Sequence, residues 1–323
     1  MLVLKSRSNN PFYNLALEEY LFETSEEDVF MLWQNDNTIV IGQYQNTLEE
    51  ISMSYVKAHG INVVRRLSGG GAVYHDLGNI NFTYITRGEY GSFSYEHFTK
   101  HIRETLSDYG VESNFSGRND LTIGGRKFSG NAQYIKNGKV LHHGTLLYNS
   151  NLEVLTKALQ TNQTKMESKS IKSIHERVTN IKEHMQEDVP IEKFMDALFE
   201  KIAKTEETKR IELTEDDKVL IHKKEGERYG TWEWNYGASP KSNVRKTRKH
   251  EYGLVDIFFN LENGYIDNIK IQGDFFAIGE MVEIENALAG CKLEEKDIQN
   301  TLNQFENYIY GIDSKWLTDT ILT

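Results

Sequence analysis

The segment Arg65-Arg-Leu-Ser-Gly-Gly-Gly-Ala-Val-Tyr-His-Asp-Leu-Gly-Asn79 joins two predicted strands and decides how the chain is interpreted. Its three consecutive glycines, 69–71, let a backbone approach a bulky anion, and successive N–H groups can form an anion-binding nest. Arg65 and Arg66 can pair with a phosphate or carboxylate through charge-assisted hydrogen bonds. The segment lacks the Lys-Ser/Thr pair of a Walker loop and the spaced glycines of a dinucleotide fingerprint. A glycine-rich hairpin with solvated arginines is the alternative that the glycines alone favour.

Short strands and helices alternate on both sides of this segment. Asn10 can cap a helix whose first turn contains Pro11, and the helix continues to Phe22. Hairpin turns are predicted at Gly124-Gly125 and at Asn137-Gly138, where the second pair suits a type I′ turn. Strands interleaved with helices and often joined by hairpins predict an α+β fold. We expect a mixed or antiparallel sheet flanked by helices.

The 323 residues predict two domains, since a domain usually has about 150 residues. We expect a larger domain over residues 1–240 and a small C-terminal α+β accessory domain over residues 249–323. The basic segment from Ser239 to His250 has few large apolar residues, so we expect a linker and a hinge there. The polar stretch from Gln160 to Glu187 predicts a long loop.

Composition excludes several classes of protein. The formal net charge of −11 argues against a nucleic-acid partner. No stretch approaches the about 20 apolar residues of a membrane helix, and the N-terminus does not resemble a signal peptide. The single cysteine, Cys291, allows no internal disulfide and lies far from the dense motifs, which disfavours a thiol nucleophile. We therefore expect a cytoplasmic protein.

A second dense segment runs from Gly117 to Gln133 and contains Asn119, Asp120 and Lys127. A lysine on a hairpin is usually a solvated charge. Held against a phosphoryl group and a carboxylate, however, Lys127 would stabilise the charge that develops during adenylation. Asp120, helped by Asn119, is the candidate ligand of a magnesium ion, which prefers carboxylate and water oxygens.

Two further segments carry candidate residues. His142 and His143 are adjacent, and adjacent strand residues face opposite ways, so both do not easily bind one metal ion. We expect one buried, hydrogen-bonded histidine and one beside the ligand pocket. The aromatic stretch from Tyr229 to Pro240 favours packing, and it is a candidate closing wall for the larger domain.

Taken together and in this order, the motifs resemble the signature of lipoate–protein ligases. The resemblance rests on the segment 65–79, on Gly117-Arg-Asn-Asp120, on Arg126-Lys-Phe-Ser-Gly-Asn-Ala132 and on His142-His-Gly-Thr-Leu-Leu147. It extends to Arg177-Val-Thr-Asn180 and Trp232-Glu-Trp-Asn-Tyr-Gly-Ala-Ser-Pro240. It covers most of the first domain, and the small trailing domain fits the family's two-domain form.

The resemblance implies a core related to biotin ligases and class II aminoacyl-tRNA synthetases. It also implies two half-reactions that use ATP and Mg²⁺. Lipoate and MgATP first give lipoyl-adenylate and pyrophosphate. The lipoyl group then passes to a lysine of a lipoyl domain, in 2-oxo-acid dehydrogenase complexes or in the glycine cleavage H protein. The acid substrate would be lipoate scavenged by the cell, with a lipoate derivative or octanoate as open alternatives, and a monomer is expected.

Carried over by motif, the candidate site residues fall into two overlapping groups. The predicted ATP-binding residues are Arg66, Gly71, Ala72, Val73, Tyr74 and Lys127. The predicted lipoate-binding residues are Arg66, Gly69, Gly70, His75, Lys127 and His143. Lys127 is the predicted catalytic residue, in contact with both the carboxyl group and the adenylate phosphate.

Three alternatives remain open at this point. A lipoyl or octanoyl transferase would use a cysteine thioester, for which Cys291 is badly placed. A biotin ligase would be expected to have a Gly-Arg-Gly-Arg-type loop, from which Leu67-Ser-Gly-Gly-Gly71 departs. A non-catalytic lipoyl-domain binder would not need Arg66 and Lys127. For docking of an acidic lipoyl domain, the basic run from Lys241 to Lys249 is a candidate rim.

Overall fold

The computed structural model describes residues 1–88, 94–117, 119–159, 177–205, 207–237 and 242–322. The strands are β1 Leu2–Lys5, β2 Val29–Trp33, β3 Thr38–Ile41, β4 Asn62–Arg65, β5 Val73–His75, β6 Asn79–Arg87, β7 Asn114–Ser116, β8 Asp120–Ile123, β9 Arg126–Lys136, β10 Lys139–Leu147, β11 Lys209–Arg210, β12 Val244–His250, β13 Gly253–Glu262 and β14 Tyr265–Gly273. The α-helices are α1 Pro11–Thr24, α2 Thr47–Glu50, α3 Met53–Ala58, α4 Tyr95–Asp108, α5 Leu152–Ala158, α6 Ile191–Thr205, α7 Glu215–Lys224, α8 Trp232–Asn235, α9 Met281–Leu288, α10 Glu295–Leu302 and α11 Ser314–Leu322. Shorter helical turns cover Ile181–His184, Glu225–Tyr229 and Asn303–Phe305. None of the described helices is both long and apolar enough to span a membrane.

The main sheet is mixed, as the sequence predicts. In the described part of the chain it has eight strands in the order β11-β1-β2-β6-β10-β9-β8-β7. β1 runs parallel to β11 and β2, and the other neighbours are antiparallel. The predicted hairpin turns are present, because Gly124, Gly125, Asn137 and Gly138 all have positive φ. The α+β fold prediction is therefore confirmed.

Both faces of the main sheet are covered. Alternate residues of β2 point to opposite sides of the sheet, and each set packs in its own core. Phe30 and Leu32 face a core that α4 and α6 complete. Met31 and Trp33 face a second core, which contains the apolar residues of α1. The side chain of Asn10 caps α1 by accepting hydrogen bonds from the backbone N–H groups of the next turn.

A small three-stranded sheet carries the glycine-rich segment. Its order is β4-β3-β5, with β4 parallel and β5 antiparallel to β3. The chain leaves β4 at Arg65 and returns in β5 at Val73, so the glycines form the connection between the two outer strands. This connection lies over the face of the main sheet that α1 also covers, and it brings the arginines and glycines to one cavity.

The C-terminal domain has its own sheet, in the order β12-β13-β14, covered by α9, α10 and α11. The linker prediction is wrong from Val244 onward, because β12 pairs along its whole length with β13. The strand escapes recognition in the sequence because it is an edge strand with mostly exposed, basic side chains. Residues 239–241 of the predicted linker lie outside the described residues, and so does most of the predicted loop, at residues 160–176.

Candidate active site

A cavity of about 150 Å³ lies between the main sheet and the glycine-rich segment. It is lined by Leu15, Trp33, Val40, Arg66, Gly70, Gly71, Ala72, Val73, His75, Asn81, Asn119, Lys127, Gly130, Asn131, Ala132, His143, Gly144, Thr145 and Phe276. The motifs that are separated by up to 79 residues in the sequence thus meet at one site. No cysteine belongs to the lining, since the chain's single cysteine, Cys291, lies in the C-terminal domain and bonds to the carbonyl of Ala287.

Arg66 gives the cavity a buried positive charge. Its Nη2 donates hydrogen bonds to the carbonyls of Gly69 (2.6 Å) and Gly71 (2.9 Å), and its Nε donates to Ser68 Oγ (3.0 Å). Burial lowers the pKa of Arg66 to about 10, partly opposed by the attraction of Glu18. Within the described ranges no carboxylate forms an ion pair with this guanidinium. A bound anion would therefore supply the missing countercharge.

Arg65 has a different task from its neighbour. Its guanidinium donates to the carbonyls of Gly42 (2.8 Å) and Gln45 (2.7 Å) and to Thr47 Oγ1 (2.7 Å). The backbone of Trp234 also accepts from Arg65, and the indole Nε1 of Trp234 donates back to the Arg65 carbonyl. Arg65 does not line the cavity and instead ties the loop after β3 to α2 and α8. The aromatic stretch predicted as a closing wall packs behind Arg65 and is absent from the cavity lining described above.

The predicted glycine and strand residues divide between two sides of the segment. Gly70, Gly71, Ala72, Val73 and His75 line the cavity. Gly69 lies beside them but faces the C-terminal domain, where a Cβ atom at this position would be 2.4 Å from the carbonyl oxygen of Phe275. Gly69, a predicted lipoate-binding residue, is therefore not among the residues that line the cavity.

Tyr74 is the predicted ATP-binding residue whose side chain the structure turns away from the cavity. Its hydroxyl donates to Asn37 Oδ1 (3.1 Å), and its ring packs with Ile39 and Ile41. The reason is the alternation of β5, which sends Val73 and His75 to the cavity and Tyr74 to the opposite face. In this conformation only the backbone of Tyr74 is available to a nucleotide.

Lys127 lies at the other side of the cavity. Its Nζ is 2.7 Å from Asp120 Oδ1, and both side chains are partly exposed. The backbone carbonyl of Lys127 accepts a hydrogen bond from the N–H of Thr179 (2.9 Å), within the Arg177–Asn180 motif. A Cβ atom on Gly130 would lie 2.9 Å from Lys127 Nζ, so this glycine makes room for the ammonium group. The predicted catalytic residue is thus held in place and still reachable.

Asp120 offers a single carboxylate to a metal ion. In the described part of the chain no three His, Cys, Asp or Glu residues are arranged to hold a metal. Asn119 has its amide engaged, since Nδ2 donates to the carbonyl of Asn131 (2.6 Å). Mg²⁺ commonly keeps water and phosphate ligands with one or two carboxylates from the protein. The residues therefore fit an ion that arrives on a triphosphate and do not fit an ion held by protein groups alone.

The two histidines behave differently, as the strand alternation predicts. His142 is fully buried, stacks on Phe98 and contacts the Asn131 and Gln133 side chains. His143 lines the cavity and joins Ser68 Oγ to Glu18 through its two ring nitrogens, at 2.6 and 2.9 Å.

The Ser68–His143–Glu18 chain has the connectivity of a catalytic triad, but Ser68 is 1% exposed and does not belong to the lining of the cavity. Ser68 Oγ also accepts from Arg66. The chain therefore serves to hold the Arg66 guanidinium, and it does not present a nucleophile.

Several lining residues were not predicted. Leu15, Trp33, Val40 and Asn81 lie in segments that read as ordinary helix or strand core, and no local motif marks them. Phe276 comes from the C-terminal domain, more than 120 residues beyond the last motif of the large domain that lines the cavity. A sequence pattern alone does not indicate which faces of distant elements meet.

Comparison with known proteins assigns the class first. The family model described as "Lipoyl protein ligase A/B catalytic domain" matches residues 10–203, and "Bacterial lipoate protein ligase C-terminus" matches residues 239–321. A lipoate–protein ligase 1 of Staphylococcus aureus is 41% identical over 314 residues, which cover 95% of this chain and 96% of the relative. The lipoate–protein ligase LplJ of Bacillus subtilis is 41% identical over 321 residues, 97% of each chain.

Solved structures agree with the sequence relatives. The chain is similar to LipL1 of P. falciparum, determined in complex with lipoate, with a TM-score of 0.86, 27% identity and 99% of each chain covered. It is also similar to a lipoate–protein ligase A bound with ATP, with a TM-score of 0.63 and 25% identity over 73% of this chain and 98% of that one. The chain belongs to the lipoate–protein ligase family. The enzyme class predicted from the sequence is confirmed.

Proposed function

We propose that this chain activates lipoate with ATP and transfers the lipoyl group to a lysine of a lipoyl domain. In the first half-reaction a carboxylate oxygen attacks the α-phosphorus, and pyrophosphate leaves. In the second the ε-amine of the acceptor lysine attacks the acyl carbon, AMP leaves, and the amine loses a proton. The presence of Arg66 and Lys127 in one thiol-free cavity carries this proposal.

The roles of the residues follow from the charges of the reactants. Bringing a carboxylate to a triphosphate places two anions together, so the site needs cations and backbone donors more than a nucleophile. We assign to Lys127 the contact with both the carboxyl group and the α-phosphate, because it is a cation that lines the cavity. Arg66 compensates the charge of the bound anions, and the 70–73 backbone lines the nucleotide side. Asp120 is the protein ligand that we assign to Mg²⁺, which would neutralise phosphate charge when it accompanies ATP.

The proposal also covers the acceptor protein, the cellular compartment and the oligomeric state. The acceptors we propose are lipoyl domains of 2-oxo-acid dehydrogenase complexes and the glycine cleavage H protein. We place the catalytic domain in residues 1–240 and begin the accessory domain at β12. A cytoplasmic monomer that scavenges lipoate is the working form that we propose.

Exchange of labelled pyrophosphate into ATP tests the first half-reaction. The purified protein is incubated with MgATP and with lipoate, octanoate or biotin. Exchange that depends on lipoate is the expected result, with none for biotin. The second half-reaction is tested by the mass of a purified lipoyl domain, with an acceptor Lys→Arg variant of that domain as control. Absence of exchange with every acid, and of any mass change, would contradict the proposal.

A further inference from the structure

Lys127 lies on a part of β9 that no longer pairs with β10. Within the described ranges, the pairing of β9 with β10 begins at Lys136 and stops at Asn131. Toward Lys127, β9 continues to pair with β8, beyond which only the short β7 follows at the edge of the sheet. In this part of the sheet the described strands therefore hold Lys127 from one side only.

The segment 177–180 takes the place of β10 beside Lys127. Val178 forms an isolated parallel bridge with Lys127, and the N–H of Thr179 donates to the Lys127 carbonyl (2.9 Å). Thr179 is fully buried, and its hydroxyl lies 2.8 Å from His184 Nε2. Because the bridge is only one residue pair long, its position depends on what holds the segment 177–180 elsewhere.

Asn180 fixes this segment to the turn 149–151, which follows β10. Asn180 precedes the helical turn Ile181–His184, where an asparagine side chain commonly caps the turn, yet its side chain makes no capping bond. Instead, Oδ1 accepts from the N–H of Ser150 (2.8 Å), and Nδ2 donates to the carbonyl of Ser150 (3.1 Å). A reversed amide would place donor against donor, so the two contacts fix the orientation of the side chain.

The same turn is bound to the glycine-rich segment through Asp76, the residue after β5. Asp76 Oδ2 accepts from the N–H of Asn151 (2.7 Å), and Oδ1 accepts from the N–H of Gly78 (2.9 Å). Gly78 packs so closely on the turn that a Cβ atom there would lie 2.1 Å from the carbonyl oxygen of Asn149. The turn thus contacts both halves of the active site, the glycine-rich segment directly and the lysine side through Asn180.

We propose that Asn180 is a positioning residue for Lys127 and sets the distance between its ammonium group and the glycine-rich segment. The proposal rests on the proposed function, since it concerns the activation of lipoate beside Lys127. Asn180 does not line the cavity, so it acts through the backbone of Lys127. The position matters because a cation stabilises developing charge only at close contact, and a displacement of about 1 Å can lower a rate by about a hundredfold.

The test is a double-mutant cycle with Lys127 in the lipoate-dependent pyrophosphate exchange reaction. Asn180→Ala should lower kcat by about tenfold and change the KM values for lipoate and MgATP by less than about twofold, because the reactants still bind while the lysine is displaced. In the Lys127→Ala background, Asn180→Ala should lower kcat by less than about twofold. An equal loss of kcat in both backgrounds would show that Asn180 acts independently of Lys127 and would overturn the proposal.

A matched variant separates positioning from folding. Tyr148→Phe removes another buried hydrogen bond, just before the same turn, because the Tyr148 hydroxyl donates to the carbonyl of Val189. This variant should lower the free energy of unfolding and leave kcat, corrected for the folded fraction, at the wild-type value. A loss of kcat as large as that of Asn180→Ala would assign both effects to a general loosening of the core and overturn the proposal.

Hydrogen exchange of the wild-type protein gives a result that does not require any variant to fold. The Thr179 amide donates to Lys127, and the Ser150 amide donates to Asn180. If Asn180 fixes the segment, one opening releases both amides, and their protection factors should agree within about threefold. Exchange of the Thr179 amide about a hundredfold faster than that of the Ser150 amide would show that the contact with Lys127 opens by itself, which would overturn the proposal.

Failure of the two proposals looks different. A wild-type enzyme without lipoate-dependent pyrophosphate exchange contradicts the proposed function. Exchange in the wild type that Asn180→Ala leaves unchanged contradicts only the role of Asn180.

Discussion

The two sides of the glycine-rich segment differ in how their polar groups are satisfied. On the cavity side, Arg66 has no carboxylate partner and His75 Nε2 has no hydrogen-bond partner among the described residues. On the other side, Gly70 donates to the Phe275 carbonyl (3.0 Å), and the ring of Phe275 stacks on Tyr44. The first side is left incomplete for a ligand, and the second is completed by the C-terminal domain. One short segment thus serves chemistry and domain contact for separate physical reasons.

Removal of Lys127 should cause the largest effect on the cavity side. Lys127→Ala is expected to lower lipoate-dependent pyrophosphate exchange by about a hundredfold to a thousandfold, because it removes a cation from the developing charge. Lys5→Ala, which removes a surface lysine paired with Asp196, is the control and should have wild-type exchange. An exchange rate for Lys127→Ala within threefold of the wild type would mean that the cavity charge does not drive activation.

The adjacent residues Arg65 and Arg66 allow a comparison between an arginine that holds the structure together and one that serves the cavity. Arg66→Met should lower kcat/KM by about a hundredfold with a smaller loss of stability than Arg65→Met, because most of its acceptors lie in the short segment itself, at Ser68, Gly69 and Gly71. Arg65→Met should lower the free energy of unfolding by about 3 kcal/mol, because it leaves several buried carbonyls unpaired. Urea unfolding and exchange kinetics, corrected for the folded fraction, measure both. Similar losses of stability and of kcat/KM in Arg65→Met and Arg66→Met would contradict the separate roles of the two arginines.

Substitution of Gly69 tests the side of the glycine-rich segment that faces the C-terminal domain. In Gly69→Ala the new methyl group would meet the Phe275 carbonyl at 2.4 Å, so the domain has to shift. The Gly70 amide, which donates to that carbonyl, should then exchange its hydrogen about tenfold faster. Gly71→Ala is the matched variant, since a Cβ there has no atom within 4 Å. Equal protection of the Gly70 amide in both variants would show that the contact is not tight.

Glu50, at the end of α2, should give the smallest effect, which depends on pH. Burial, reinforced by Asp274 of the C-terminal domain, raises the pKa of Glu50 to about 7. Because the folded pKa exceeds the unfolded value near 4.5, this group lowers stability as pH rises from about 4.5 to 7. Glu50→Gln should therefore stabilise the protein by about 1 kcal/mol more at pH 8 than at pH 5, after allowance for its partial exposure.

Thermal unfolding across this pH range checks the Glu50 prediction. Glu49→Gln is the comparison, because Glu49 forms an ion pair with Arg245 and its loss should not stabilise at either pH. A pH-independent effect of Glu50→Gln would mean that this carboxyl group is not desolvated at the domain contact.

The sequence predicts the residues on the cavity side of the glycine-rich segment far better than the residues that contact the C-terminal domain. Local signals such as Asn137-Gly138 and the ordered motifs around Arg66, Lys127 and His143 specify the hairpins and most of the lining. The exposed, basic β12 lacks the apolar alternation that marks a strand, and its pairing with β13 is a tertiary effect. Phe276 and Gly69 acquire their contacts only when the two domains meet, so no periodicity in the chain indicates them.

The contact at Gly70 and Phe275, together with the ion pair between Glu49 and Arg245, bears on how the two domains depend on their covalent connection. The C-terminal domain closes its own apolar core, to which the large domain adds the ring of Tyr44. A covalent linker between two such domains mainly sets the effective concentration of one domain near the other. This concentration reaches the millimolar range for short flexible linkers. If the C-terminal domain were supplied as a separate chain, it would place Phe276 in the cavity only at a similar, millimolar concentration. The covalent link thus keeps Phe276 at the wall of the active site whatever the affinity of the two domains for each other.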